Sequence, residues 1–228
     1  MGLQPRLGHS TGPSLDRVRI AYYPHPAFFE PALCLVRELS RRADVHLLLE
    51  ISRGAWQSAA FDLEERQLPP GLVPADEILR DAFPAGVRRY WQSAASFHLV
   101  VHSSVRSLHP SSWRISREAL RYAVSTGADI LHADDLDVSP RLALALPGFT
   151  RLPLVIAVHD PEPHTGERNW RKTLARRLAY RRARRFVLHN HALAMPFASQ
   201  YGLRASNVDT TRLGAFEVVT EWPGVDEG

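Results

Sequence analysis

Short continuous apolar runs alternate along this chain with longer stretches in which apolar positions recur every three or four residues. Runs of the first kind predict strands buried on both faces, and stretches of the second predict amphipathic helices. Val18-Arg-Ile-Ala-Tyr-Tyr23 is a first strand on this pattern. Pro24-His-Pro26 closes it, because proline neither donates to a ladder nor continues a helix. From about Phe29, residues Ala32, Leu35, Val36 and Leu39 fall at i, i+3, i+4 and i+7, opposite Glu30, Arg37 and Arg41. Residues 44–49 follow as a second strand. Strand, helix and strand in this order make a βαβ unit, which builds parallel, right-handed, doubly wound sheets.

The same alternation continues downstream. Residues 51–89 carry no clear period and are broken at Pro69-Pro-Gly71 and Phe83-Pro-Ala-Gly86. Strands are then predicted at 97–102, 130–133, 154–158, 186–189 and 208–213, with helices at 111–124, 139–146, 167–183 and 191–201. Trp113, Leu120 and Val124 are expected on the buried face of the helix at 111–124. The fold class is therefore α/β, a doubly wound, mostly parallel sheet with helices on both faces. Residues 1–16 hold glycine, proline and serine without a period and are expected to form a disordered leader. One domain should cover 17–216, with 217–228 as a hinge or tail remnant.

Composition narrows the class. With 228 residues, 45% hydrophobic and 23% charged, the chain has the makings of one substantial globular domain. The single cysteine, Cys34, excludes an internal disulfide framework and is compatible with a reducing compartment. No run approaches the roughly 20 apolar residues that span a bilayer, and the start of the chain lacks the apolar core of a signal peptide. The expected location is the cytoplasm, with peripheral attachment at the inner face of the plasma membrane as an extension. A net charge of +4 favours an anionic partner. Lys172 is the only lysine among 28 basic residues, a bias attributed to a GC-rich genome rather than to bidentate recognition at every position.

Candidate chemistry gathers where predicted strands end. Tyr22-Tyr-Pro-His-Pro26, Ala133-Asp-Asp-Leu-Asp137 and His159-Asp-Pro-Glu-Pro-His164 each place polar side chains after an apolar run. Open parallel sheets bind ligands in the crevice beyond such ends. One pocket lined by His25, Asp134, Asp135, His159, Asp160 and His164 is the expectation, although each carboxylate alone also suits a turn or helix cap. A metal on His159, Asp160 and His164 is disfavoured, because Pro161 and Pro163 forbid the helix that would set two imidazoles one turn apart. Thr165 suits the cap of the next helix, with Glu167 in its first turn. The first turn has no phosphate loop, since it offers prolines and aromatics where glycines are needed. Glu30 and Glu38 flank Cys34 by one turn and disfavour its thiolate.

From Glu167 to Arg185 there are nine basic residues against one acid, with Trp170, Leu174 and Leu178 at helical spacing. Those three are expected to pack the helix inward. Arg171, Lys172, Arg176, Arg177, Arg181 and Arg182 are candidates for contact with a membrane or another anion. No nucleic-acid reader motif accompanies the charge, so no nucleic-acid partner is expected.

The strand order, the loop 158–167, the basic helix, Arg184-Arg-Phe-Val-Leu-His-Asn-His191 and the later Tyr201-Gly-Leu203 together resemble the N-terminal half of family 4 glycosyltransferases over about residues 18–216. The resemblance implies the Rossmann-like acceptor-side half of a GT-B enzyme, which transfers a sugar with retention from a nucleotide-sugar and uses no resident cofactor or metal. It implies that His159 faces the transferred sugar, that Asp134 and Asp135 border the acceptor, and that the basic helix sits on membranes carrying lipid-linked or cell-envelope acceptors. The first-strand turn Tyr23-Pro-His-Pro26 departs from the glycine-containing turn usual there. The family's E-x7-E donor motif belongs to a second domain; Glu30 and Glu38 match its spacing only on the outside of the first predicted helix. The expectation is a truncated or half enzyme, inactive without a donor-domain partner. The rivals are a non-enzymatic recruitment module using the arginine-rich helix and a metal-dependent hydrolase.

Overall fold

A computed structural model describes residues 17–52, 68–104, 106–134, 140–149, 151–159, 161, 170–212 and 214–222. Its strands are β1 (Val18–Tyr23), β2 (Ala43–Ser52), β3 (Gly71–Pro74), β4 (Ser96–His102), β5 (Ile130–Asp134), β6 (Leu154–Val158), β7 (Ala183–Leu188) and β8 (Val208–Thr210). They form one sheet in the order β3-β4-β2-β1-β5-β6-β7-β8. Every pairing is parallel except that of β3 with β4. The chain runs outward from β1 through β2 and β4, then returns to lay β5 on the other side of β1. That reversal is the switch point at which doubly wound sheets open a crevice.

The period of two along each strand sends neighbouring side chains to opposite faces, and each face has its own core. On one face Tyr22, Val45, Leu47 and Leu49 pack under α1 (Phe29–Leu39), α2 (Ala75–Leu79) and α3 (Ala85–Trp91). On the other, Ala21, Leu48, Leu131, Ile156 and Phe186 pack under α4 (Pro110–Ser125), α5 (Pro140–Ala145), α6 (Trp170–Arg182) and α7 (Ala194–Tyr201). Phe29 and Leu33 are fully buried on α1; truncating a residue so placed costs about 2–5 kcal/mol. Gly202 adopts φ 62° after α7, a left-handed turn that glycine takes without strain.

The first core draws no buried residue from β5, β6 or β7. Their face on the α1 side is instead crossed by the C-terminal segment. Residues Glu217–Glu221 form a 3₁₀ turn against α1 and α3, with Val218 completely buried. Arg37 reaches Glu217 at 2.6 Å and Arg89 reaches Glu221 at 3.2 Å, and the Trp222 ring meets Phe83 edge to face. The first half of the expected tail is thus part of the fold, because one apolar side chain inserts between two helices. The leader 1–16 and residues 223–228 lie outside the described residues.

On α4 Leu120 is buried and Val124 packs against the core, as expected, but Trp113 is not, and on α6 the expected stripe turns largely outward. Trp113 is 53% exposed, and α4 packs through Ser112, Ile115, Ser116, Ala119, Leu120 and Ala123. On α6, Trp170 is 65% and Leu174 40% exposed, whereas Ala175 and Ala179 are fully buried. On α6 the buried positions Ala175 and Ala179 are small, which lets that face pack closely. The unreadable middle supplies the antiparallel edge β3 and the short helices α2 and α3, each too brief to show a period.

Candidate functional site

Tyr22 lies near the end of β1 with its side chain on the α1 face. Its hydroxyl donates to Asp134 Oδ2 at 2.8 Å. Asp134 ends β5 and is 3% exposed. Burial pushes its carboxyl up to about 7, against the smaller downward pull of the Tyr22 hydrogen bond. A carboxyl poised near neutrality can accept or return a proton at working pH. The same burial, with Asp134 adjacent, raises the Tyr22 phenol well above its usual range, so it stays a donor.

His132 precedes Asp134 by two residues and shares its face. Its ring stacks on Tyr22, with centroids 4.9 Å apart. Burial, with His159 and His189 nearby, lowers it to about 4, so the imidazole is neutral at pH 7. His159 follows β6 and stacks on Phe28 at 3.9 Å, with an interplanar angle of 11°. It also meets His189, the residue after β7, at 4.8 Å. Burial lowers His189 as well.

These groups line a cavity of about 430 Å³, within the range of small-molecule sites. Pro31, Cys34 and Leu35 of α1 make one wall, and Thr211, Arg212 and residues 214–217 pass over it. Asp134 and His159, both expected from sequence, thus line one chamber. His25 stands one ring away: it accepts a hydrogen bond from the Ala27 amide, capping the turn at Pro26–Phe28, and meets Phe28 at 6.3 Å. Asp135, Asp160 and His164 lie outside the described residues. Sequence reasoning placed Tyr22 in a strand-end polar cluster but left it out of the expected pocket, and it passed over His132 and His189 as strand residues. The signal was present, since a period of two places His132 beside Asp134.

A second polar cluster occupies the opposite face. The Tyr23 hydroxyl donates to Glu50 Oε2 at 2.9 Å, and Arg141 Nη1 donates to Glu50 Oε1 at 2.7 Å. Arg141 also reaches the Ser104 carbonyl at 3.3 Å. His102 lies 3.9 Å from Glu50, and burial lowers it to about 4. Countercharge and hydrogen bonds make this a structural assembly closed to solvent.

Cys34 sits beneath the C-terminal segment. Burial, rather than the expected Glu30 and Glu38, is the main influence raising its thiol, against the pull of the Val218 and Glu217 amides. Of the basic helix, Arg176 is 5% exposed and donates to the Pro161 carbonyl and the Tyr201 hydroxyl. Arg182 donates to the carbonyls of Phe149 and Leu152. These two guanidiniums hold the fold together instead of facing an outside anion. Arg177 and Arg181 are exposed. Arg171 and Lys172 belong to the first turn of α6, with side chains outside the described set. Among the described residues no group of three or more His, Cys, Asp or Glu is arranged to hold a metal, and no helix is long and apolar enough to cross a membrane.

No protein-family model matches the sequence, and no curated protein matches it. Solved structures are similar in fold. UDP-N-acetylglucosamine 2-epimerase from Rickettsia bellii aligns with 90% of this chain and 47% of its own, at 11% identity and a TM-score of 0.55. Anabaena Alr3699/HepE, in complex with UDP and glucose, aligns with 87% of this chain and 45% of its own, at 17% identity and a TM-score of 0.50. The chain spans about half the length of the structures it matches. The likeness is one of fold: an α/β, doubly wound, mostly parallel sheet, the Rossmann-like half of a GT-B architecture.

Proposed function

We propose that this chain is the acceptor-side domain of a sugar-transferring enzyme, residues 17–216 forming one wall of a cleft whose other wall binds a nucleotide-sugar. The observation that carries this reading is the meeting of Tyr22, Asp134, His159 and His189 from four neighbouring parallel strands in one chamber at the carboxyl end of a GT-B-type sheet. His159, held flat against Phe28, is the group to hydrogen-bond the transferred sugar. Asp134 orients the acceptor hydroxyl, and His25, Asp135, Asp160 and His164 are the further candidates for acceptor contact that the sequence offers. Transfer with retention, to a glycan or lipid-linked acceptor, is the reaction that the resemblance to family 4 glycosyltransferases supports. The leaving diphosphate needs cationic or backbone donors, which the donor-side domain supplies.

The test supplies the chain with its donor-side domain and measures sugar transfer from a panel of nucleotide-sugars to glycoside and lipid-linked acceptors. Transfer is expected, with His159→Ala lowering kcat about 10²-fold. Absence of turnover with every donor would overturn the reading.

A second reading, recruitment to an anionic membrane, draws on the outward stripe of α6. Trp170 and Leu174 are exposed and stand at helical spacing to exposed Arg177 and Arg181. Sedimentation with anionic but not neutral vesicles is expected, abolished by Arg177→Glu with Arg181→Glu. Equal binding to both vesicle types would dismiss it.

A further inference from the structure

A histidine ring turns about a bond that favours no single plane, so one that must present its edge to a substrate needs a second group to fix it. Phe28 is placed to do this for His159. Its ring lies against the imidazole at 3.9 Å and 11°, a face-on stack that sets the plane in which both ring nitrogens bond. Phe28 follows β1, His159 follows β6, and β5 stands between those strands. The contact therefore crosses the end of the strand that carries Asp134, two strand spacings or roughly 10 Å.

The turn that carries Phe28 is held at both ends. Pro26 drives the residue before it into extended backbone, and His25 has φ −83° and ψ 144°, the conformation an N-cap needs. The His25 Nδ1 accepts from the Ala27 amide at 3.1 Å, and the Phe28 amide donates to the His25 carbonyl at 2.9 Å. Phe29, next in the chain, is fully buried. The same device recurs at His109-Pro110, which starts α4 on the other face of the sheet. There the histidine has φ −68° and ψ 137°, and its Nδ1 accepts from the Ser111 amide at 3.2 Å. No residue of that second turn lines the chamber.

We propose that His25 and Phe28 are positioning residues for His159: the His25 cap sets the turn, the turn seats the Phe28 ring, and the ring orients the imidazole. What His159 is oriented toward, the transferred sugar, rests on the sugar-transfer reading. His25, with its Nδ1 taken up by the cap, acts on the site through Phe28 rather than by touching the acceptor.

The test follows the His159 imidazole resonances of the full chain by NMR, since a phenyl ring stacked on them displaces them upfield. Phe28→Leu removes that displacement and so identifies the signal. His25→Ala is expected to relax the displacement, whereas His25→Asn, which supplies a favoured capping side chain, keeps it. His109→Ala, the loss of the same cap elsewhere, should lower stability in urea as His25→Ala does and leave the His159 signal as in wild type. Circular dichroism checks folding, and His25→Gly, a milder cap loss, takes the place of His25→Ala if that variant does not fold. With the donor-side domain supplied, His25→Ala should lower kcat about fivefold, the weight of one cap, with KM unchanged. Phe28→Leu should lower kcat about tenfold. His159 resonances that stay in place in His25→Ala, or that move as far in His109→Ala, would overturn the proposal. So would His25→Asn behaving as His25→Ala, or a raised acceptor KM with kcat unchanged, the mark of a direct contact. No turnover by the wild-type pair would sink the transfer reading while the resonances still decide the positioning. Turnover with resonances unmoved in His25→Ala would do the reverse.

Discussion

Two consecutive tyrosines at the end of β1 lead to opposite outcomes. Tyr22 and Tyr23 point to opposite faces, and each donates to a buried carboxyl, Asp134 at 2.8 Å and Glu50 at 2.9 Å. Glu50 has a guanidinium at 2.7 Å, and α4 and α5 cover that face. Asp134 has no cation among its described partners and faces an open chamber. Its burial therefore goes uncompensated, which is why its carboxyl titrates near 7. A buried acid with a countercharge holds a fold together; one without it is held ready for a proton or a ligand.

The largest test of that contrast is Arg141→Met, which strands Glu50 in the core. It should cost about 3–5 kcal/mol by urea denaturation, and adding Glu50→Leu should recover much of the loss. A loss under 1 kcal/mol would place the two clusters in the same class.

Asp134→Asn should act with the opposite sign. The Asp134 carboxyl has a reference value of 3.8 when unfolded and about 7 when folded. Between these values the folded chain keeps a proton that the unfolded chain has lost. Stability from this group is thus present below pH 4 and lost as the pH rises through 7. The amide removes that penalty while still accepting from Tyr22, so the variant should gain about 2–4 kcal/mol at pH 8 and nothing at pH 4. Equal denaturation profiles across this range would show that Asp134 is not uncompensated.

The smallest effects come from the hydroxyls. Tyr23→Phe removes a bond to a paired carboxylate and should cost about 1.5–3 kcal/mol, against about 0.5–1.5 for Tyr22→Phe. Tyr22→Phe should also raise the Asp134 titration further, because the lost bond pulls it down; carboxyl-resolved NMR titration reads this directly.

Much of the scaffold was legible in the residues. Val18–Tyr23 and Leu154–Val158 are strands where apolar runs foretold them, because a strand buried on both faces needs a continuous run. Side-chain facing on helices was less legible. On α4 and α6 Trp113 and Trp170 point outward, while Ile115, Leu120 and Ala123 of α4 and Ala175, Ala179 and Tyr180 of α6 are buried, since the packing against the sheet, not the size of one residue, decides which face is covered. Within the candidate site, Asp134 and His159 stood out because they break apolar runs. His132 and His189 were hidden because a histidine in or beside a strand looks the same whether its face is covered or open.

The order of apolar and polar residues determined by itself that strands and helices alternate and that polar groups appear at strand ends, since these follow from local period and proline placement. Tertiary structure decided which ends meet. The reversal between β1 and β5 seats Tyr22 against Asp134, and the C-terminal segment, pinned by Val218, leaves space over β5–β7. Contacts between residues more than a hundred positions apart depend on strand order and on which face a helix covers, and no local pattern encodes either.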